Sequence, residues 1–326
     1  MGSLLEIKDL SIEIMSTRGL IHAVRGVNIG VEHGSIHGIV GESGCGKSVS
    51  AKAILQLHDR RYVRMRGAIL FEGRNLLDLS EREMEKIRCE KISMIFQDPM
   101  ASLNPLFTIG EQIAEVFTDH FGTSRREARR RALELLERVG ILPAESRYGQ
   151  YPFEFSGGML QRVIIAIAIA ANPSLIVADE PTTALDVTIQ AQILELLQQL
   201  QRDLNISILI ITHNFGIVSE ICDHVSVMYA GSVFETGEKR DVFANPVNPY
   251  SRALIESIPK RGCAGQRLKT ISGVPPELFN IAPGCSFAPR CELADERCLG
   301  EMPALTARKS SFGRAHLAAC HNAKEE

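Results

Sequence analysis

The sequence predicts an α/β fold in which a mostly parallel sheet is flanked by helices. Three short apolar runs, Ile36–Val40, 175–178 and 206–212, have the composition of strands buried on both faces of such a sheet. Polar or glycine-rich residues follow each run, and ligands gather at the carboxyl ends of parallel strands. We therefore expect the three strand ends to face one binding site.

The first run leads into segment 41–48, which matches the pattern G-x-x-x-x-G-K-[ST]. Glycines let several backbone N–H groups point at one anion, and a helix predicted over 47–57 aims its N-terminus at the same place. Lys47 is predicted to reach the β- and γ-phosphates of a nucleotide, and Ser48 to bind Mg²⁺. The predicted nucleotide-contacting residues of this loop are Gly41, Glu42, Ser43, Gly44, Cys45, Gly46, Lys47, Ser48 and Val49.

Acidic and imidazole side chains follow the other two runs. Asp179 and Glu180 end the second run, and His213 follows the third. Asp179 is predicted to hold Mg²⁺, directly or through water, and Glu180 to orient and polarise an attacking water. His213 could contact a γ-phosphate. The alternatives are an acidic strand end that caps the next helix and an ordinary loop histidine.

Composition limits the class of protein. The chain has 326 residues, 45% of them hydrophobic and 23% charged, and its net charge of −3 gives no argument for nucleic acid as the main partner. The longest apolar run, 163–171, is too short to span a membrane, and the first ten residues carry charges where a signal peptide has an apolar core. We expect the chain to act in the cytosol, where eight cysteines argue against a disulfide framework.

A further glycine motif, Ser156-Gly157-Gly158 in the segment FSGGMLQR, precedes the apolar run 163–171, which predicts a buried helix. With Gln97 in the segment IFQDP and with Ala184-Leu185-Asp186, the motifs resemble, in order, those of an ATP-binding cassette (ABC) subunit over about residues 1–240. Segment 41–48 resembles Walker A, Gln97 the Q-loop, and Ser156–Gly158 the signature motif. Segment 175–180 resembles Walker B, segment 184–186 the D-loop, and His213 the switch histidine.

This resemblance implies a P-loop NTPase cassette with an antiparallel β subdomain and a helical subdomain at about 98–157. It also implies a dimer, homo- or heteromeric, in which each ATP lies between Walker A of one subunit and the signature of the other. Ser156, Gly157 and Gly158 would then serve the partner's ATP, and Asp186 would bridge the subunits. Gln97 would contact Mg²⁺ and couple γ-phosphate occupancy to a membrane subunit.

Within the predicted helical subdomain, the sequence marks one helix clearly. Ser124 and Glu127 form a capping box, an apolar stripe follows, and Gly140 ends the helix. The basic run 125–131 is interpreted as a solvated face because acidic residues interleave with it. The residues of the apolar stripe are Ala128, Ala132, Leu135, Leu136 and Val139.

The sequence departs from the family pattern at the adenine site. Residues 8–35 lack the aromatic side chain on which many cassettes stack adenine. Ile14, Met15 and Arg18 are the candidate residues for a weaker platform.

The variant FSGGM is typical of di- and oligopeptide importer ATPases, and the segments 245–254 and 257–259 resemble the C-terminal extension that dipeptide, oligopeptide and nickel importer ATPases share. We expect a small loop-rich C-terminal extension over 241–326. The resemblance implies the motor of a peptide importer at the cytoplasmic face of the cell membrane, with two permeases and an external binding protein. Alternatives are import of nickel or another small solute, or a soluble ABC ATPase acting on nucleic acid or ribosomes.

Four cysteines of the extension, Cys285, Cys291, Cys298 and Cys320, lie in loop-like sequence. Four cysteines suit zinc or an iron–sulfur cluster, and the lack of a CxxC pair disfavours a zinc ribbon. The resemblance implies a 4Fe–4S cluster, with zinc or four unligated thiols as alternatives. His316 and His321 are possible substitute ligands, and Cys263 is given no role.

Overall fold

The computed structural model describes residues 3–183, 185–258, 270–279, 281–310 and 315–323. Ala184, residue 259 and Cys263, which occur in the motifs above, lie outside these ranges. The chain folds into two compact units. The first combines Met1–Asp78 with Ile211–Glu326, and the second is Leu79–Ile210.

The N-terminal part of the first unit is dominated by an antiparallel sheet of order β2-β1-β4-β5. Its two long strands join at a tight turn where Gly19 has φ of 128°, a conformation that glycine adopts readily. Leu5, Ile7, Leu10 and Ile12 of β1 are all at most 2% exposed, so one face of this sheet is core. The elements here are β1 (Ser3–Ser16), β2 (Gly19–Glu32), β3 (Ile36–Val40), α1 (Lys47–Ile54), β4 (Val63–Phe71), β5 (Arg74–Asn75) and a 3-10 turn (Leu76–Asp78).

The second unit is mostly helical. Strand β6 pairs in parallel with β7, and β8 lies beside β7. The chain returns to the first unit at Ile211, within β8. The elements are α2 (Glu81–Ile87), β6 (Ile92–Ile95), α3 (Pro99–Ser102), α4 (Ile109–Phe121), α5 (Arg125–Arg138), α6 (Ala144–Tyr148), a 3-10 turn (Pro152–Glu154), α7 (Gly157–Ile169), β7 (Leu175–Asp179), α8 (Val187–Leu204) and β8 (Ser207–Thr212).

The C-terminal part of the first unit extends a second sheet. Strand β3 pairs in parallel with β9, and β9, β10, β12 and β11 follow in antiparallel pairs. The elements are α9 (Phe215–Ile221), β9 (His224–Tyr229), β10 (Ser232–Glu238), α10 (Lys239–Ala244), α11 (Pro249–Glu256), a 3-10 turn (Ala288–Arg290), α12 (Glu296–Gly300), β11 (Leu305–Arg308) and β12 (His316–Ala319).

The predicted strands and helices form with small differences. All three apolar runs are strands, and the second continues through Asp179. Helix α1 ends at Ile54, three residues before the predicted 57, because Gln56 has a φ of 51° that cannot continue a helix. The extension is not only loops, since β12 pairs with β10. The alternation of apolar and polar residues does not identify strands of only four residues.

The predicted helix after Ser124 is α5, and its whole apolar stripe is buried. Only half of the predicted capping box forms. The hydroxyl of Ser124 accepts a hydrogen bond from the backbone of Glu127 at 3.4 Å, but the Glu127 carboxylate binds Arg130 and Arg131 instead of reaching back. These exposed ion pairs agree with a solvated basic face.

Candidate active site

The loop between β3 and α1 is shaped for close approach of an anion. Gly46 precedes the helix with φ of 100°, in the left-handed region that glycine favours. A Cβ on Gly41 would lie 2.1 Å from the carbonyl oxygen of Met228, and one on Gly46 would lie 2.3 Å from that of Ala23. No side chain fits at either position, so the backbone itself lines the loop.

Lys47 lies at the centre of this loop and is only 4% exposed. Its Nζ donates to the carbonyl oxygens of Gly41 at 2.8 Å and Glu42 at 2.9 Å. Burial raises the pKa of the neighbouring Cys45 thiol, which therefore stays neutral. A buried cation inside a glycine cradle at a helix N-terminus fits a nucleotide's phosphates, and the Ser48 hydroxyl in the first turn of α1 could reach a divalent cation.

A second set of candidate residues lies in the second unit, at the carboxyl ends of the neighbouring strands β6 and β7. Asp179 ends β7 and is 4% exposed. The next residue, Glu180, has φ of 49°, a left-handed conformation that costs a non-glycine residue on the order of 1 kcal/mol. Its Oε2 accepts hydrogen bonds from Nε2 of Gln97 at 3.1 Å and from Oγ1 of Thr183 at 2.8 Å. The structure thus brings Gln97 and Glu180 together.

Thr183 was missed by the sequence analysis. It lies three residues after Glu180, and its hydroxyl fixes one oxygen of the predicted base. A threonine close to a catalytic carboxylate in sequence is the signal that could have found it. Because Thr183 donates to Oε2, it holds the orientation of the predicted base.

Ser156-Gly157-Gly158 forms the start of helix α7. The Ser156 hydroxyl caps the helix by accepting from the backbone of Met159 at 3.4 Å. A Cβ on Gly158 would lie 2.5 Å from Cγ2 of Ile189, so this glycine allows α7 to pack closely on α8. Gly157 is exposed, and a Cβ there would meet nothing closer than 3.5 Å. Packing within the described chain therefore explains Gly158 but not Gly157.

Asp186 and His213 occupy exposed positions at element ends. Asp186 caps α8, and its Oδ1 accepts from the backbone of Thr188 at 3.1 Å and of Ile189 at 3.0 Å. His213 follows β8 in the first unit and precedes Asn214, which caps α9. The Asp186 carboxylate therefore has a structural function in α8 regardless of any contact with a partner.

The predicted adenine platform lies at the β1–β2 hairpin. Ile14 is half-buried, Arg18 is exposed, and Met15 is 51% exposed beside its strand partner Leu20. Met15 thus offers an accessible apolar side chain, whereas the aromatic that would stack more strongly is missing from this segment of the sequence.

The four cysteines of the extension lie around one small cavity of about 20 Å³, which His321 also lines. The backbone N–H of Cys285 donates to the carbonyl of Cys298 at 2.8 Å, which ties the first and third cysteines together. Burial raises the pKa of all four thiols. Among the described residues, no three or more His, Cys, Asp or Glu side chains stand in metal-binding geometry. The donor chemistry fits a thiolate-bound metal centre, and the cluster stays a prediction.

Two side chains predicted as substitute ligands have other partners. His316 is 1% exposed and its Nε2 lies 2.7 Å from Oε1 of Glu235. Nε2 of His321 lies 3.0 Å from the carbonyl oxygen of Glu301. His321 is at the edge of the cysteine cavity, whereas His316 is committed to the buried pair with Glu235.

The phosphate loop on a parallel strand, the carboxylates that end β7 and the capped glycine motif of α7 define an ABC-type ATPase. Residues 24–183 match the family model described as ABC transporter, and residues 234–298 match the one for the oligopeptide/dipeptide transporter C-terminal region. The chain belongs to the ABC transporter family, in the group of ATP-binding subunits that carry this C-terminal region. The predicted α/β cassette fold is confirmed.

Curated relatives and solved structures agree with this family assignment. The chain is 48% identical over 99% of its length to a probable peptide ABC transporter ATP-binding protein of Sinorhizobium fredii, of which 96% is covered. It is 47% identical over 99% of its length to the oligopeptide transport ATP-binding protein OppD of Salmonella typhimurium, of which 95% is covered. The dimeric structure of MJ0796, a bacterial ABC transporter cassette, matches with a TM-score of 0.65 and 29% identity, over 72% of this chain and 99% of that one.

Proposed function

We propose that this chain is the ATP-hydrolysing subunit of an importer for di- or oligopeptides. The observation that carries the proposal is the union, in one chain, of the cassette motifs with the oligopeptide/dipeptide C-terminal region. Relatives similar over nearly the whole chain are named as oligopeptide and dipeptide transport ATP-binding proteins. The cassette supplies the ATPase, and the C-terminal region places it among peptide transporters.

The chemistry follows from the residues of the two units. The loop amides and Lys47 would bind the phosphates of ATP, while Ser48 and Asp179 would hold Mg²⁺, which neutralises phosphate charge. Glu180, oriented by Thr183, would position the attacking water and take up its proton. Gln97 is hydrogen-bonded to Glu180, so it could link occupancy of the site to a contact elsewhere on the protein.

A second cassette would complete each ATP site. Gly157 presents an exposed helix N-terminus that packing within the described residues does not explain, and helix N-termini favour anions. Ser156, Gly157 and Gly158 would contact ATP bound to the partner's phosphate loop, Asp186 would bridge the subunits, and His213 would sense the γ-phosphate. The similar cassette MJ0796 is dimeric, which supports the proposal of a second cassette.

The remaining partners follow from the importer function. Two membrane permeases would receive the motion of the cassette dimer, and an external solute-binding protein would deliver the peptide. No helix among the residues that the structure describes is long and apolar enough to cross a membrane. We place the chain at the cytoplasmic face of the membrane, held there by its permeases, and divide it into an ATPase domain, 1–240, and an extension, 241–326.

The test is ATP hydrolysis by the assembled transporter with Glu180→Gln in this chain. The amide keeps the shape of the side chain but cannot take a proton, so we expect turnover at this site to fall about 100-fold or more while MgATP still binds. Thr183→Ala is the matched control that removes one hydrogen bond, and its turnover should fall only about tenfold or less. Normal hydrolysis by the Glu180→Gln transporter would refute the assignment of the base.

For the extension, we propose a 4Fe–4S cluster held by Cys285, Cys291, Cys298 and Cys320. The shared cavity supports it, and the cluster would brace a small tail around one centre. After anaerobic purification, the protein should contain iron and sulfide and absorb visible light. Cys291→Ser should lose this iron, whereas Cys89→Ser, a thiol of the second unit, should retain it. A colourless protein with stoichiometric zinc would contradict the cluster.

A further inference from the structure

Glu42, the second residue of the phosphate loop, is turned toward the C-terminal extension. Its backbone N–H donates to the hydroxyl of Tyr250 at 3.1 Å, in helix α11. Its carboxylate oxygens accept from the two terminal nitrogens of Arg290 at 2.7 and 3.0 Å. Its carbonyl oxygen accepts from Lys47. Glu42 therefore connects the cation of the loop directly to two residues of the extension.

Arg290 is held firmly in its position. Its side chain is only 5% exposed, and that of Glu42 is 23% exposed. The guanidinium also donates to the hydroxyl of Tyr229 at 3.0 Å and to the carbonyl of Ser272 at 2.9 Å, and it lies 5.8 Å from the centre of the Phe287 ring. The bond to Glu42 raises the pKa of Arg290 further above its ordinary value, so the guanidinium keeps its charge at neutral pH.

The bidentate pair of Arg290 and Glu42 neutralises a negative charge in the phosphate loop. A carboxylate next to a site for several phosphate charges repels the ligand unless a cation neutralises it. Lys47 is the cation of the loop, but its ammonium is directed to backbone oxygens and does not contact the Glu42 carboxylate in any of its hydrogen bonds among the described residues. Arg290 supplies the missing charge and draws the carboxylate toward the extension.

We propose that Arg290 is a positioning residue for nucleotide binding, which neutralises Glu42 and holds the phosphate loop open to MgATP. The C-terminal extension would thereby be part of the ATP site, although it lies outside the cassette motifs. This inference rests on the proposed function, because it assumes that the loop binds ATP. Arg290 acts through Glu42 and makes no contact with the nucleotide itself.

The experiment measures the Kd of MgATP for the full-length chain by titration calorimetry. Arg290→Gln is expected to weaken binding about tenfold because the Glu42 carboxylate then faces the phosphates unneutralised. Glu42→Gln alone should tighten binding by less than about threefold, because Arg290 keeps its hydrogen bonds to Tyr229 and Ser272 and does not turn toward the phosphates. The double variant should return to within about threefold of the wild-type Kd, so Glu42→Gln should have a larger effect in the Arg290→Gln chain than in wild type, which is the signature of direct coupling between the two charges.

Arg25→Gln is the matched control. Arg25 also joins the core of the first unit to the extension, through the Ser286 hydroxyl at 2.7 Å and the Ala230 carbonyl at 3.0 Å, but has no hydrogen bond to Glu42. Any loss of affinity in Arg25→Gln reflects a loosened extension, and Glu42→Gln should then change the Kd by less than about threefold, as it does in wild type. Rescue is thus expected only in the Arg290 background.

The outcomes are distinct. Wild-type affinity in Arg290→Gln, or a weakened affinity that Glu42→Gln does not restore, overturns the inference and leaves the proposed function intact. A wild-type chain that binds no MgATP overturns the proposed function and this inference with it. If Arg290→Gln does not fold, Arg290→Lys keeps the charge without the bidentate fork and should bind within about threefold of wild type. A tenfold loss in Arg290→Lys would overturn charge neutralisation as the cause.

Discussion

Substitution by alanine should have different effects at the adjacent glycines 157 and 158: it should lower stability at Gly158 and impair ATP hydrolysis at Gly157. At Gly158 the added methyl would lie 2.5 Å from Cγ2 of Ile189, a β-branched side chain with little rotamer freedom. Overpacking of this kind costs about 1–3 kcal/mol, and the higher helix propensity of alanine returns about 1 kcal/mol. We expect Gly158→Ala to lower the free energy of unfolding by up to about 2 kcal/mol.

At Gly157 the methyl meets ordinary contact at 3.5 Å, so Gly157→Ala should leave the free energy of unfolding within about 0.5 kcal/mol of wild type. The methyl would instead project where the partner's ATP is proposed to approach. A displacement of about 1 Å between reacting groups costs on the order of 100-fold in rate. Gly157→Ala should therefore be a stable protein with severely impaired ATP hydrolysis.

The assays are urea denaturation of the isolated chain and ATP hydrolysis by the assembled transporter. Ile189→Ala in the Gly158→Ala background should cost less than the sum of the single variants, because the clash then disappears. Retention of more than a third of wild-type hydrolysis by Gly157→Ala would refute the reasoning about the partner's ATP. Additive effects of the two substitutions would refute the packing argument.

Three further predictions concern the first unit. Burial, and to a smaller extent the neighbouring His224, lower the pKa of His37 to about 3. Between about pH 6.5 and 3, His37 is therefore protonated in the unfolded chain but neutral in the native one. Stability should therefore fall by up to about 1.4 kcal/mol per pH unit as the pH drops from about 6.5 toward 3, and denaturation of His37→Gln should show a shallower decline. His316→Ala removes the side-chain partner of the buried Glu235 carboxylate and should cost about 3–5 kcal/mol in urea denaturation, whereas an unchanged midpoint would contradict a structural pair. Gly46→Ala should abolish MgATP binding in calorimetry, because its Cβ has no room in the loop; measurable affinity would contradict the close approach.

Much of the candidate site was predictable because its residues are close together in sequence. The phosphate loop, the carboxylates after β7 and the capped glycine motif each depend on a strand end or a helix start, which local sequence specifies. The predicted strands and the buried stripe of α5 follow from apolar periodicity in the same way. The capping box at Ser124 failed in part, because two arginines compete for Glu127.

Other features had no local signal. The strands β11 and β12 are short, and only their pairing with β10 identifies them. The hydrogen bond between Gln97 and Glu180 joins residues 83 positions apart, and depends on β6 and β7 lying side by side. The buried pair of Glu235 and His316 likewise forms only when the extension adds a strand to the sheet.

The sequence by itself therefore predicted the chemistry: a phosphate loop, carboxylates suited to Mg²⁺ and water, and a glycine motif at the start of a helix. Only the tertiary structure decided which side chains orient these groups. Arg290 reaches Glu42 from 248 positions away, a separation at which spacing and periodicity carry no information. Motifs are local because backbone geometry is local, whereas charge neutralisation acts through space and depends on how the chain returns to itself.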